Sequence, residues 1–168
     1  RVMACANLPY YITTPVLTKL LESRCFESVT VMVQKEVAQR ICAAPGSKAY
    51  GAFTVFCNWH AAPALLFDVP PDCFLPRPKV TSAVLRVTVR AEPPCPVADA
   101  ALFFRVVRAS FAQRRKTLLN GLASAFPQLS KDQLAGALDA CGFPAAVRGE
   151  TMDIQQFAAV ADALGRLL

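Results

Sequence analysis

The stretch "VMACANLPYYITTPVLTKLLES", residues 2–23, decides the fold class of this chain. It opens with a short continuous apolar run, residues 2–6, which is typical of a buried parallel β-strand. Thr14 is then placed to cap a helix, and Pro15 suits the first helical position. The residues that fall on one helical face are Val16, Leu17, Leu20 and Leu21. Because a strand followed by an amphipathic helix is the repeating unit of α/β proteins, the stretch predicts an α/β sheet.

The same alternation of strands and helices continues to residue 89. Residues 28–34 are rich in β-branched side chains and predict a strand, and residues 35–44 predict a helix that stops before Pro45. Residues 51–60 fit either a helix or a strand, and the helix is favoured because a parallel strand would need a crossover before it. Residues 63–69 and 80–89 predict two further strands. The last two strands are joined by a loop too short for a crossover helix, so we expect them to be antiparallel.

The proline-rich segment "AEPPCP", residues 91–96, marks a predicted domain boundary. Beyond it no strand pattern recurs. Ser130 and Gln133 form a capping-box pattern, and Gly142 marks the end of the helix that follows it. Asp153 and Gln156 have the spacing of a second capping box. The sequence therefore predicts an α/β domain over residues 1–92 and a small all-α domain over residues 93–168.

Positive charge is concentrated at the start of the predicted helical domain. The chain has a formal net charge of +6. No acid occurs between residues 100 and 131, which include Arg105, Arg108, Arg114, Arg115, Lys116 and Lys131. A region that carries only positive charges attracts polyanions and typically neutralises phosphates. The alternative interpretation is a solvated face of a helix.

Several classes of protein are disfavoured by composition. No apolar run approaches the roughly 18 residues that a membrane-spanning helix needs. The 7 cysteines include no C-x-x-C pair, which predicts reduced, buried thiols in a cytosolic protein. The single histidine, His60, has no partner in sequence for catalysis, and no spacing suits a metal site.

The four residues "NLPY" after the first strand carry a chemical signal. The amide of Asn7 offers one acceptor and two donors, Pro9 removes a competing N–H, and the ring of Tyr10 provides a stacking plate. This set suits a planar group with an exocyclic amine, such as adenine, at the carboxyl end of a strand. A capped turn with a packed tyrosine is the alternative.

Five sequence blocks, in order, resemble one family. The blocks are "NLPYYITTPVLTKLL", "MVQKEVAQRICAAPGSKAYGAFTVF", "VPPDCFLPRPKVTSAVLRV", "FAQRRKTLLNGL" and "RGETMDIQQFAAVADAL". Together they resemble the later part of KsgA-type small-subunit rRNA adenine dimethyltransferases. The resemblance implies the C-terminal part of a Rossmann-like methyltransferase sheet followed by a small all-α domain.

The resemblance also implies a reaction and its residues. Members of the family transfer methyl groups from S-adenosylmethionine to N6 of two adjacent adenines near the 3′ end of small-subunit rRNA. On that basis Asn7 and the Leu8–Pro9 backbone are expected to hold the adenine amino group, with Asn7 also touching the cofactor. Tyr10 and Phe74, from the F-x-P-x-P-x-V-x-S block that ends at Ser82, are expected to stack the extruded base.

Two departures from the family pattern affect these expectations. Tyr11 stands where the family commonly has asparagine, and we interpret it as a packing variant. None of the 7 glycines forms the G-x-G-x-x-G loop of a cofactor site, which the family places upstream of Arg1. We therefore expect this chain to be part of a longer protein and to bind S-adenosylmethionine poorly by itself.

The expected partner is small-subunit rRNA in the immature ribosomal subunit, bound by a monomeric, cytoplasmic protein without membrane association. The residues predicted to contact rRNA phosphates are Arg77, Lys79, Arg105, Arg108, Arg114, Arg115 and Lys116. Three alternatives stay open at this point. They are a non-catalytic rRNA-binding or organelle transcription factor on the same scaffold, a large-subunit rRNA methyltransferase of the antibiotic-resistance type, and a purely structural ribosome-assembly factor.

Overall fold

The computed structural model describes residues 2–113 and 115–168. Its helices and strands are β1 (Met3–Asn7), α1 (Thr13–Ser23), β2 (Ser28–Gln34), α2 (Lys35–Ile41), α3 (Ala52–His60), β3 (Ala61–Val69), β4 (Ser82–Val89), α4 (Ala100–Ala112), α5 (Leu118–Ala125), α6 (Lys131–Ala140) and α7 (Ile154–Gly165). Short 3₁₀ turns occupy Tyr10–Ile12, Pro71–Cys73 and Gly149–Thr151. The α/β prediction is confirmed, including the helix expected over residues 51–60. Within the described ranges, no helix has the length and apolar character to cross a membrane.

The strands of the described residues form one four-stranded sheet in the order β1-β2-β4-β3. β1 runs parallel to β2, with Met3 opposite Ser28. β4 lies between β2 and β3 and is antiparallel to both. The antiparallel pairing of the last two strands is thus confirmed, and it places the loop from β3 to β4 at the same end of the sheet as the β2–α2 junction, where Gln34 pairs with Ser82.

The inner strands carry the core of the sheet. Val31 and Val33 of β2 and Leu85 of β4 are at most 1% exposed, as are Leu17 and Leu21 of α1. The buried leucines of α1 match the helical face predicted from their spacing. Each such side chain contributes roughly 1.5–3 kcal/mol to stability when it is removed from water. This core therefore holds in place the turn that follows β1 and the loop that precedes β4.

The first strand is less buried than its apolar sequence predicts. Met3, Cys5 and Asn7 are exposed, and Ala4 and Ala6 are half-buried. The reason is that β1 pairs only with β2 in the described structure and forms an edge of the sheet. The prediction of a parallel strand was correct, and the prediction of a buried one was wrong.

Three helix ends differ from their predicted positions. The N-cap of α1 is Ile12, without a side-chain cap, because a 3₁₀ turn leads into the helix ahead of Thr14. α2 ends at Ile41, three residues earlier than expected. α5 begins at Leu118, whereas the run "RRKTLLNGLASAF", residues 114–126, predicts a helix that already includes Lys116.

Contacts divide the chain into two compact units. The sheet unit contains the residues up to Ala43 and Phe56–Pro93, and the helical unit contains Ala44–Val55 and the residues from Pro94 onward. Ala44–Val55 falls with the helices because the Tyr50 hydroxyl donates to the Met152 carbonyl at 2.8 Å. Burial, followed by the nearby charge of Asp153, raises the pKa of Tyr50 to about 12, so the hydroxyl keeps its proton at neutral pH.

The helical unit follows the capping signals of its sequence. Asp99 accepts hydrogen bonds from two backbone N–H groups at the start of α4. Both predicted capping boxes, at Ser130 and at Asp153, are present. α4 and α5 approach so closely at Gly121 that a Cβ there would lie 2.4 Å from the carbonyl oxygen of Ala109, which requires glycine at this crossing.

The cysteines are free thiols, but most of them are not buried. Only Cys57 is buried, and burial raises the pKa of its thiol. Cys5 lies on the exposed edge strand, and Cys25, Cys42 and Cys73 lie in exposed turns or helix ends. The prediction of buried thiols was therefore wrong for all but one, because local apolar sequence does not tell which strand or loop becomes a surface.

Candidate active site

The segment Asn7–Tyr10 forms a pinned turn at the carboxyl end of β1. The N–H of Leu8 donates to the carbonyl of Met32 at 3.2 Å, which extends the pairing of β1 with β2 by one residue. The Pro9 carbonyl accepts the N–H of Ile12 at 3.1 Å and the hydroxyl of Thr13 at 3.4 Å. The turn is thus fixed by the sheet on one side and by the start of α1 on the other.

Two polar groups of this turn have no hydrogen-bond partner among the described residues. They are the exposed side-chain amide of Asn7 and the backbone carbonyl of Leu8. Leu8 precedes a proline, which has no N–H of its own to offer. Since the Pro9 carbonyl is already engaged, the acceptor that remains in the predicted Leu8–Pro9 backbone is the Leu8 oxygen.

A cavity of about 270 Å³ brings the two predicted aromatic segments together. We call it the NLPY cavity; it is lined by Asn7, Leu8, Pro9, Tyr10, Phe74, Pro76 and Pro78. Its volume lies just below the roughly 300–1,000 Å³ of pockets for drug-sized ligands, so it suits a group the size of one base. Tyr10 and Phe74 are both half-buried, and they make no ring contact with each other in the described structure.

The loop between β3 and β4 positions Phe74. The N–H of Phe74 donates to the Pro71 carbonyl at 3.2 Å, which closes the 3₁₀ turn before it. Pro76 and Pro78 follow, and their rings restrict the backbone of the loop. Arg77 pairs with Asp72 at 2.7 Å on the surface, so its guanidinium already has a partner within this loop.

The hydroxyl of Tyr10 lies 2.6 Å from the Oγ of Ser82, the first residue of β4. This bond links the turn after β1 to the central part of the sheet. No sequence pattern indicated this bond separately, because the serine enters only as the last letter of the F-x-P-x-P-x-V-x-S block. Residues 72 positions apart in the chain meet only once the sheet has formed.

Tyr11 does not pack, contrary to its interpretation as a packing variant. Its side chain is 87% exposed, whereas its neighbour Tyr10 is half-buried. Consecutive residues of a 3₁₀ turn point about 120° apart, so one ring faces the sheet while the next faces solvent. The sequence pattern alone does not distinguish the two tyrosines.

The predicted RNA-contacting residues fall in both units. Arg77 and Lys79 are exposed on the β3–β4 loop, and Arg108, Arg115 and Lys116 are exposed in the helical unit; Arg114 lies outside the described residues. Arg105 donates to the carbonyl of Ala125, and its guanidinium lies 4.2 Å from the centre of the Phe126 ring. Arg105 therefore stabilises the end of α5. The charge pattern of the sequence did not indicate this structural role.

A larger cavity, of about 740 Å³, lies within the helical unit. Arg105, Arg108 and Arg166 line it together with Asp99 and Asp162. Both acids accept backbone N–H groups, Asp162 from Ala98 at 3.0 Å. Sequence reasoning missed Arg166 because it stands alone near the end of α7. This cavity has no aromatic plate, so the smaller NLPY cavity is the better candidate for chemistry on a base.

His60 lies outside the NLPY cavity and instead lines a small recess with Trp59 and Arg90. Burial, followed by the positive charge of Arg24, lowers the pKa of His60. Its ring packs 4.6 Å from that of Phe56. Among the described residues, no group of three or more His, Cys, Asp or Glu side chains is arranged to hold a metal ion.

Known proteins resemble this chain over almost its whole length. Residues 1–146 match the family model for ribosomal RNA adenine dimethylase. The chain is 48% identical over 165 residues to the ribosomal RNA small subunit methyltransferase A of Geobacillus thermodenitrificans, covering 96% of this chain and 56% of that protein. It is 49% identical over 163 residues to the protein of the same name from Caldanaerobacter subterraneus, covering 97% of this chain and 60% of that protein. The chain thus spans little more than half the length of these curated relatives.

Two solved structures share the fold. A dimethyladenosine transferase from Plasmodium falciparum superimposes with a TM-score of 0.80 at 22% identity, over 94% of this chain and 64% of that one. The 23S rRNA methyltransferase ErmE superimposes with a TM-score of 0.69 at 23% identity, over 97% of this chain and 65% of that one. At these identities the likeness shows the fold alone, and that fold is the Rossmann-like one predicted from the sequence.

Proposed function

This chain belongs to the ribosomal RNA adenine dimethylase family, and from that premise we propose that the protein dimethylates N6 of two adjacent adenines near the 3′ end of small-subunit rRNA. The observation that supports the proposal best is the NLPY cavity. It joins two separated aromatic rings to an amide and a carbonyl that have no hydrogen-bond partner among the residues the structure describes. Those are the groups that an extruded adenine needs at its face and at its amine edge.

Each residue of the cavity has a proposed role. The two N6 hydrogens donate to the Asn7 side-chain oxygen and to the Leu8 carbonyl, which holds the nitrogen in one orientation. The Tyr10 and Phe74 rings stack the base, and stacking of about 1–3 kcal/mol per base offsets part of the cost of extrusion. Positioning then supplies most of the acceleration, so no strong base is required.

S-adenosylmethionine, when bound, supplies the methyl group. Asn7 stands at the carboxyl end of β1, which is where open α/β sheets bind ligands, and its amide has no partner in the described structure. This residue therefore fits a contact on the cofactor side of the site. Asn7 is the single residue of this chain that we assign to the cofactor.

The rRNA is held, in this proposal, by exposed cations around and away from the cavity. Lys79 lies on the loop that carries Phe74. Arg108, Arg115 and Lys116 lie in the helical unit, and their side chains have no hydrogen-bond or ion-pair partner among the described residues. Arg77 and Arg105 already have protein partners, so we assign them a smaller share of the phosphate contacts. The protein is proposed to work as a monomer in the cytoplasm.

The test is methyl transfer by the full-length protein to immature small ribosomal subunits. Radiolabelled S-adenosylmethionine measures the rate, and mass spectrometry of rRNA fragments locates the product. Two adjacent N6,N6-dimethyladenines near the 3′ end are expected. Tight binding of the subunit without any methyl transfer would instead support a non-catalytic assembly factor on the same scaffold, and methylation of large-subunit rRNA alone would support the antibiotic-resistance type.

A further inference from the structure

The hydrogen bond between Tyr10 and Ser82 joins a cavity ring to β4, the strand that lies between β2 and β3. The two hydroxyl oxygens are 2.6 Å apart, and the Ser82 side chain is 0% exposed. Neither hydroxyl has a second hydrogen-bond partner among the described residues. For the buried serine, Tyr10 is therefore the group that satisfies its polar atom.

Ser82 is held on both sides by the sheet. It opens β4, where it is paired with Gln34 of β2 and with Val69 of β3. The carbonyl of the preceding residue, Thr81, accepts the N–H of Lys35 at 3.0 Å. The serine hydroxyl thus has a position set by three strands and by the junction of β2 with α2.

Tyr10, in contrast, stands on a three-residue turn that has no side-chain cap. A tyrosine ring has two rotatable torsions, and fixing its outer end at the hydroxyl restricts both of them. The ring is half-buried and forms one wall of the NLPY cavity. Without the hydrogen bond, the Tyr10 ring is free to rotate out of the orientation in which it stacks on a flat ligand.

We propose that Ser82 is a positioning residue, which holds the Tyr10 ring in the orientation needed to stack the extruded adenine. This inference rests on the proposed function. Ser82 itself touches no substrate, and the hydroxyl of Tyr10 takes no part in proton transfer. Its effect reaches the reaction only through the plane of the ring.

The experiment is a double-mutant cycle in the full-length protein with Ser82→Ala, Tyr10→Phe and both together. Each single variant deletes one side of the bond, and Tyr10→Phe does so without removing the ring. We expect each single variant to lower kcat for methyl transfer to immature small subunits by about 3- to 10-fold, the range of one hydrogen bond. The double variant should be no slower than the slower single variant, because only one bond is lost.

The KM for the ribosomal subunit should change little, since many other contacts hold the rRNA and the ring touches one base. Ser110→Ala is the matched control. Ser110 is also buried, at 7% exposure, and its hydroxyl donates to the Val106 carbonyl at 2.7 Å within the helical unit. Its loss should leave kcat unchanged while it lowers the melting temperature by as much as Ser82→Ala does.

Three outcomes contradict the inference. The first is a wild-type kcat for Ser82→Ala, and the second is a fold-loss of kcat in the double variant that equals the product of the two single losses. The third is a loss of kcat for Ser110→Ala as large as that for Ser82→Ala. If Ser82→Ala does not fold, the kcat of Tyr10→Phe alone tests the inference, because this variant removes the same hydrogen bond at the half-buried Tyr10. Failure of the proposed function looks different, because then the wild-type protein itself transfers no methyl group to small-subunit rRNA.

Discussion

Replacing Phe74 by alanine tests the two-plate arrangement of the NLPY cavity directly. Phe74 is half-buried at the cavity wall, and its backbone is held by the preceding 3₁₀ turn and the following prolines. The loop should therefore keep its course when the ring is removed. In the proposed function, the change removes one stacking surface for the base.

The magnitude follows from the stacking energy. Removing one aromatic plate costs about 1–3 kcal/mol, and about 1.36 kcal/mol corresponds to a tenfold change in rate. Phe74→Ala should thus lower kcat/KM for methyl transfer by about 5- to 160-fold. Because Phe74 is not part of the buried core, the free energy of unfolding should fall by less than the roughly 3–5 kcal/mol of a core phenylalanine.

The assay is the initial rate of methyl transfer to immature small subunits by the full-length protein, with the melting temperature measured in parallel. Leu75→Ala is the matched control, because Leu75 is the next residue on the same loop and is 100% exposed. Phe74→Trp should stay near the wild-type rate because it keeps a plate. Full activity of Phe74→Ala, or an equal loss for Leu75→Ala, would refute the stacking role.

Three further changes probe the amine edge, the rRNA surface and the helical unit. Asn7→Ala should abolish detectable methyl transfer while rRNA binding by filter retention stays near wild type, because in the proposed function the amide contacts the base and not the phosphates. Arg108→Ala combined with Lys116→Ala should weaken rRNA binding and reduce the slope of log K against log salt by roughly 1.4–1.8, since each phosphate contact contributes about 0.7 on a single strand and about 0.9 on a duplex. Gly121→Ala should destabilise the protein by about 1–3 kcal/mol in denaturant unfolding, because the new Cβ meets the Ala109 carbonyl oxygen at 2.4 Å.

Controls for these variants are available in the same chain. Arg40→Ala removes a cation that already pairs with Glu36 at 2.8 Å, so the salt slope should not change. Gly136→Ala adds a methyl group where nothing lies within 4 Å, and it should stabilise α6 by about 0.5–1 kcal/mol. An unchanged salt slope for the Arg108 and Lys116 pair, transfer activity in Asn7→Ala, or stability gained by Gly121→Ala would each contradict the corresponding assignment.

Much of this protein is determined by local sequence. The valines of β2, the leucines of α1 and the two capping boxes specify their elements through side-chain periodicity and short-range hydrogen bonds, and the structure has them where they were predicted. The residue types of "NLPY" predicted a site for a planar amine-bearing group, whereas the role expected of Phe74 came from the family resemblance. Local interactions suffice in these cases because the partners lie within a few positions of one another.

The tertiary structure decided what no local pattern contains. It brought Phe74 to the cavity of Tyr10, left the Leu8 carbonyl without a hydrogen-bond partner among the described residues, and turned Tyr11 outward. It also exposed β1 and tied the Tyr10 hydroxyl to Ser82, 72 residues away. Burial and long-range hydrogen bonds depend on which strands become neighbours, and that is settled by the whole sheet at once rather than by the residues around each position.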